Sequence, residues 1–215
     1  MDPEALSERA ALTAGVRAGY DAMAHRYRAE RGTDPGETQA MARLTARLTA
    51  GCRILDAGCG SGEPIARELS TRYRVVGVDL SLAQLRLARA TVPLAALACQ
   101  DMARLGFAPR TFDAICAYYS IIHIPRELHA GVLSAFREVL VEGGLALLCL
   151  GADDNPAQHG EFMGAPMFWS HYDAPTNLDL LRTCGFEVLW HEVVADQTSP
   201  GSEHLFALGR KAPSS

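Results

Sequence analysis

Between residues 5 and 31 apolar side chains recur at helical spacing (Leu6, Ala10, Val16, Tyr20, Met23, Tyr27), few breakers interrupt them, and the run ends at Gly32. This period predicts an N-terminal helix. A second helix is expected over 36–49. Beyond it the period changes: Cys52-Arg53-Ile54-Leu55-Asp56 reads as a short strand. After a glycine-rich loop, a helix is expected from Glu63 to Thr71, with Pro64 in its first turn, where a missing N–H costs nothing. The pattern then repeats as strand 74–79, helix 81–91, strands 94–99 and 112–118, helix 126–141 and strand 145–150. Alternating strands and helices predict an α/β fold whose mainly parallel sheet is covered on both faces. Burial on both faces explains why Leu145 to Leu150 is apolar throughout rather than alternating. The remainder reads as a long loop, 151–173, a helix 174–184 with Gly185 at its C-cap, and strands 186–194 and 203–210. That last pair supplies an antiparallel edge.

A length of 215 residues suits one domain with a sizeable core. Within it, 1–50 is expected to form a helical cap, 51–151 the ligand-binding core, and 152–215 a substrate-side loop with the C-terminal strands. The formal net charge is −5 and no Lys/Arg block stands out, which argues against a nucleic-acid partner. No apolar run reaches the roughly 18 residues that span a bilayer. Met1-Asp2-Pro3-Glu4 lacks a basic, then apolar leader, so no membrane partner and a cytoplasmic address are expected. The six cysteines (52, 59, 99, 116, 149, 184) include no Cys-x-x-Cys pair and read as buried thiols; with the seven histidines they offer no zinc spacing, so no metal is expected.

The chemistry concentrates at Asp56-Ala57-Gly58-Cys59-Gly60-Ser61-Gly62. A glycine-rich turn between a strand and a helix lets the backbone approach a ligand closely, beside the unpaired N–H groups of the helix start. A nicotinamide or flavin fingerprint is G-x-G-x-x-G, whereas here the spacing is G-x-G-x-G behind an acidic residue. A carboxylate in the turn repels a pyrophosphate but can pair with an ammonium group.

Ile54 to Gly62 (ILDAGCGSG) resembles the first motif of the class I, Rossmann-like S-adenosylmethionine-dependent methyltransferases, and the resemblance extends over roughly 50–150. It implies a three-layer fold with a mainly parallel seven-stranded sheet, an antiparallel C-terminal edge and an N-terminal helical cap. It also implies S-adenosylmethionine as cofactor and S-adenosylhomocysteine as product. Gly58 and Gly60 would form the cofactor turn. Asp79, 23 residues after Asp56 at a strand end, with Leu80 beside it, resembles the acidic residue that holds the ribose hydroxyls. One carboxylate can accept two such hydrogen bonds. Asp101-Met102 resembles the pair that holds and flanks adenine, and Tyr118 to Ser120 the segment facing both cofactor and substrate. Tyr20-Asp21-x-x-Ala24-x-x-Tyr27 resembles the helix that closes over the cofactor in small-molecule members. Other readings stand beside these: Asp79 as an N-cap, Asp101 as a loop carboxylate, and the Tyr20/Tyr27 stripe as core packing.

Methyl transfer is an in-line displacement that relies mainly on alignment and exclusion of water, so no catalytic motif is required. Where a base is needed, His123, His171 and His204 are the candidates, the first two carried forward as catalytic. His123 is also readable as a helix-start packing residue, and His204 reads more as a strand residue with a satisfied ring. Tyr119, Trp169 and His171 are expected on the substrate side, within or near the aromatic stretch Met167 to Asp173, which is readable as a lid or as an anchor for the next helix. His25, His129, His159 and His191 read as surface residues. The Asn/Asp-Pro-Pro-Tyr type of motif of amino- and base-methylating relatives is absent at Ala117-Tyr118-Tyr119-Ser120. The expected acceptor is a small, partly apolar molecule such as a secondary metabolite, methylated at O, N or C by a monomer or homodimer. A cofactor-binding cyclase on the same fold is the alternative.

Overall fold

The computed structural model of the chain describes residues 3–32, 35–196 and 201–213; Met1 and Asp2, on which the leaderless reading partly rests, lie outside them. Helix α1 (Pro3–Glu30) and α2 (Pro35–Thr45) precede the alternating core. The core comprises β1 (Arg53–Ala57), α3 (Ile65–Leu69), β2 (Arg74–Asp79), α4 (Leu82–Thr91), β3 (Ala96–Cys99), β4 (Phe112–Ala117), α5 (His129–Val139) and β5 (Leu140–Gly151). After it come β6 (Asn155–Phe162), β7 (Ala165–His171), α6 (Ala174–Thr183), β8 (Phe186–Ala195) and β9 (Glu203–Lys211).

One seven-stranded sheet has the order β3-β2-β1-β4-β5-β9-β8. Strands β1 to β5 pair in parallel, and β9 runs antiparallel between β5 and β8. The expected α/β fold and its antiparallel C-terminal end are therefore present. On one face Phe136 and Leu133 of α5 and Leu181 of α6 pack against Leu55, Ile115 and Leu148. On the other, Met41 and Leu44 of α2 and Leu69 of α3 pack against Ile54, Cys116 and Leu147. Successive strand residues thus feed opposite cores, as the pleat requires.

The expected loop 151–173 is a β-hairpin, β6 with β7, whose two-residue connection Met163-Gly164 has positive φ at both positions (49° and 78°). That geometry matches a type I′ turn, which Asn-Gly or Asp-Gly usually announces; methionine in the left-handed region carries no such signal. The hairpin is anchored by α1, where Val16 and Met23 meet Ala165, Met167 and Phe168 in a separate apolar cluster.

Three other expectations change. The helix expected over 126–141 is a 3-10 turn (Arg126–Leu128) followed by α5, because Leu140 already belongs to β5. His129 is buried rather than on the surface: its Nε2 lies 2.9 Å from the Ile124 carbonyl, and burial pushes its pKa down to about 4. Of the cysteines, Cys99 is exposed and Cys52 and Cys184 are half-buried, since short β3 and the element ends leave them uncovered.

Candidate active site

The turn after β1 is closed by its own backbone: Gly58 and Cys59 donate to the Val78 carbonyl at 2.8 and 3.0 Å, and Gly62 donates to that of Cys59 at 2.9 Å. Gly58 has φ +83°, and a Cβ there would collide with Ser120, whose hydroxyl donates to the Ala57 carbonyl at 2.8 Å. Only glycine fits this close crossing of β1 and the end of β4.

Asp79, at the end of β2, accepts from Gly60 N through Oδ2 and from Ser81 N through Oδ1, each at 2.8 Å. Burial still pushes its pKa up to about 6. Both the N-cap-like and the ligand-binding readings hold in part, because each carboxylate oxygen keeps a second lone pair. Asp56 is buried beneath the turn, and its Oδ2 has no hydrogen-bond partner. Burial, reinforced by the nearby negative charge of Asp79 and opposed by Arg31, raises its pKa to about 7. A buried carboxylate without a partner is costly unless it is neutral or paired. Asp101 caps a 3-10 turn by accepting from Ala103 N at 2.8 Å, with Arg9 Nη2 3.7 Å from its other oxygen.

Around these residues two cavities open at the carboxyl edge of the sheet, where ligands of open α/β sheets bind. The first holds about 830 Å³ including its mouth and is lined by Tyr20, Tyr27, Gly58, Gly60, Asp79, Leu80, Asp101, Met102 and Tyr118, all expected from sequence. Asp56 is the exception, lying under the wall rather than in it. The second holds about 1380 Å³ on the same measure and includes Trp169 and His171 in its walls. Tyr20, Tyr27, Tyr119 and His123 line both and form the partition between them. Tyr119 sits at φ +49°, an uncommon conformation for a non-glycine residue and one that clusters at functional sites.

The histidines differ in what their rings can do. Nδ1 of His123 lies 2.7 Å from the Phe168 carbonyl and must donate to it, leaving Nε2 to accept from the Tyr20 hydroxyl at 2.9 Å. Burial pushes its pKa down to about 4. It is a neutral ring with both nitrogens engaged, suited to holding Tyr20 rather than to taking a proton. Nδ1 of His171 donates to the Asp153 carbonyl at 2.9 Å. His204 is not a satisfied strand residue: its Nδ1 is buried without a partner, while Nε2 meets Asp196 Oδ2 at 3.2 Å.

Helix α1 closes the first cavity. Asp21 Oδ1 accepts from the Ser81 hydroxyl at 2.6 Å and from Ala83 N at 3.0 Å, at the start of α4, and Arg28 bonds Glu63 at 3.1 Å. Asp21→Ala is expected to lower stability by about 0.5–2 kcal/mol, the usual cost of a lost helix cap, as measured by urea unfolding. Arg9, Thr13 and Arg17 of α1 also line this cavity and were not anticipated. Their spacing with Val16 and Tyr20 places them on one helical face, a signal readable only once that face is known to cover a site. Arg31, Asp153, Asp196 and Glu203 of the second cavity left no comparable trace.

A glycine-cornered turn with acidic residues at the next two strand ends, under a helical cover, defines a Rossmann-like nucleotide-cofactor site. Residues 54–144 match the family model described as "Methyltransferase domain". The O-methyltransferase resE of Aspergillus sclerotiorum is 30% identical over 196 residues, covering 80% of this chain and 72% of its own length. The chain belongs to the S-adenosylmethionine-dependent methyltransferase family. It spans under half the length of the next curated relatives it matches. A Burkholderia thailandensis 1,6-didemethyltoxoflavin-N1-methyltransferase, solved with its substrate and S-adenosylhomocysteine, shares the fold at TM-score 0.75 and 22% identity, over 96% of this chain and 90% of that one. The [4+2]-cyclase SpnF shares it at 0.68 and 18%, over 86% and 84%. Among the described residues no helix is long and apolar enough to cross a membrane, and no cluster of three or more His, Cys, Asp or Glu residues could hold a metal ion.

Proposed function

We propose that the cavity under α1 holds S-adenosylmethionine and that the second chamber receives a small, partly apolar acceptor, methylated at O, N or C. The two chambers meeting at Tyr20, Tyr27, Tyr119 and His123 carry this reading, because methyl transfer needs donor and acceptor on either side of a narrow, water-poor passage. When bound, the cofactor supplies a methyl group on a positively charged sulfur. Asp79 would hold the ribose, Asp101 and Met102 the adenine, and Asp56 would find in the amino-acid ammonium the partner its Oδ2 lacks. His123 would position Tyr20 at the passage, and Tyr119, Trp169 and His171 would form the acceptor's walls.

Ile122, Phe162, Met163 and Trp169 give the second chamber an apolar side, and Arg31 and the histidines a polar one. Relatives named for secondary-metabolite methylation, such as the aklanonic acid methyltransferase DauC, favour an acceptor of that kind. The whole chain is read as one domain, acting in the cytoplasm as a monomer or homodimer. The fold shared with a [4+2]-cyclase keeps one alternative, a cyclisation run with the cofactor bound.

Equilibrium binding of S-adenosylhomocysteine, then of NAD, to the purified protein tests the first step. Saturable binding of the former but not the latter is expected, and failure to bind the former overturns the reading. Mass analysis of products from a panel of phenols, amines and acids then separates methylation from cyclisation.

A further inference from the structure

Two residues that line the second chamber each carry a buried side-chain nitrogen with no hydrogen-bond partner, and the two are of opposite character. One is Nδ1 of His204 and the other Nη1 of Arg31. Both residues flank Tyr119: the His204 ring stands edge-on to it at 4.8 Å between centroids, and the Arg31 guanidinium lies over it at 5.5 Å. Tyr119 in turn lines both cavities, so each orphan atom is one ring away from the passage.

The tautomer of the neutral His204 ring follows from its neighbour. Asp196 is a carboxylate acceptor, so Nε2 carries the hydrogen and the lone pair resides on Nδ1. This arrangement, an imidazole oriented by a carboxylate, with its other nitrogen unpartnered, in a residue that lines a cavity, is what a positioned general base requires. His204 reaches it because β9 pairs antiparallel with β5, placing it opposite Gly151 at the chamber end of the sheet. The competing histidines lack the feature. His123 has both nitrogens engaged. His171 donates to a backbone carbonyl, and the nearest oxygen of the largely exposed Asp153 carboxylate is 3.9 Å away. Arg31 is held by Nη2 to Glu37 at 2.8 Å and by Nε to the Tyr27 hydroxyl at 2.9 Å, while Nη1 has no partner.

Resting on the methyltransferase reading above, we propose that the second chamber takes an oxygen-bearing acceptor whose hydroxyl proton passes to Nδ1 of His204 while a neighbouring oxygen accepts from Nη1 of Arg31. The freed oxygen lone pair forms the bond to the methyl carbon. The sulfur–methyl bond breaks with its electron pair staying on sulfur, which becomes a neutral thioether. The imidazolium is stabilised by the Asp196 carboxylate and later releases its proton to solvent. A hydroxylated ring with an adjacent oxygen satisfies both orphan atoms, whereas a hydrocarbon or a fully alkylated ether satisfies at most one.

The test uses the full chain loaded with S-adenosylhomocysteine, probed with catechol and with 1,2-dimethoxybenzene, which has the same two oxygens and no proton to give. Long-range proton–nitrogen NMR spectra are expected to place the hydrogen of the neutral His204 ring on Nε2. Catechol should move the Nδ1 resonance, and dimethoxybenzene should not. His204→Gln should keep the S-adenosylhomocysteine affinity within about twofold while losing at least about tenfold in catechol affinity, as expected where a buried polar partner goes missing. His191→Gln, at an exposed position of β8 outside both cavities, should leave the Nδ1 response of His204 in place. A hydrogen found on Nδ1, an equal response to both probes, or no response to either overturns the proposal. Failure of the wild type to bind S-adenosylhomocysteine in the same titration removes instead the reading on which it rests.

Discussion

Replacing Asp79 by alanine is expected to weaken S-adenosylhomocysteine binding by about 2–3 kcal/mol, from roughly thirtyfold to over a hundredfold. Two effects add. The carboxylate would accept the ribose hydroxyls, and charge-assisted hydrogen bonds are worth more than neutral ones. It also ties Gly60 N to Ser81 N, holding the glycine turn against the start of α4. Without it the turn loses two of its bonds and must be ordered by the ligand itself. Asp79→Asn keeps one acceptor oxygen and should fall between the two. Calorimetric titration of the three proteins measures the series, with melting curves reporting whether the free fold survives. Unchanged affinity in the alanine variant would exclude Asp79 from the cofactor site.

Cofactor affinity should also rise with pH, by about a hundredfold or more between pH 5 and pH 8. In the free protein Asp56 and Asp79 have pKa values of about 7 and about 6, chiefly through burial. At pH 5 both are largely protonated. An ammonium group and two ribose hydroxyls favour the ionised forms, so binding at low pH must expel protons, and affinity grows until the carboxylates are already ionised. The effect on stability has the opposite sign: a carboxyl whose folded pKa is raised contributes stability that is present at low pH and lost as pH rises through about 6 and 7. His123 and His129 act the other way. Their folded values of about 4 lie below the ordinary 6.5, so stability is lost as pH falls through that window. The free protein should therefore show a shallow pH dependence of melting, and the S-adenosylhomocysteine complex a steeper rise towards neutrality. Titrations at several pH values decide it: a pH-independent affinity means that neither carboxylate meets the ligand.

The glycine turn and its two following strand ends were legible because strand, turn and helix are local, and each acidic residue falls at a strand end within the same alternating pattern. Nine of the ten expected cofactor-side residues line one cavity: seven lie on the turn or at or just after strand ends, and Tyr20 and Tyr27 come from α1. Asp56 lies under the cavity wall rather than in it, because the period of a five-residue strand does not say which side of the turn its residues face.

What the sequence by itself determined is the α/β alternation, the cofactor turn and the family they resemble. Their signals are short-range: a hydrophobic period, a glycine spacing, an acidic residue at a strand end. Tertiary structure alone decided that 151–173 is a hairpin docked on α1, and that His123, from the segment after β4, meets Tyr20 of α1 over 103 residues of chain. It also decided that the side chain with an unpartnered nitrogen is His204, brought to the chamber by antiparallel pairing of β9 with β5. Protonation, burial and pairing of a histidine depend on what surrounds it in space, and none of these neighbours is near it in sequence except Asp196.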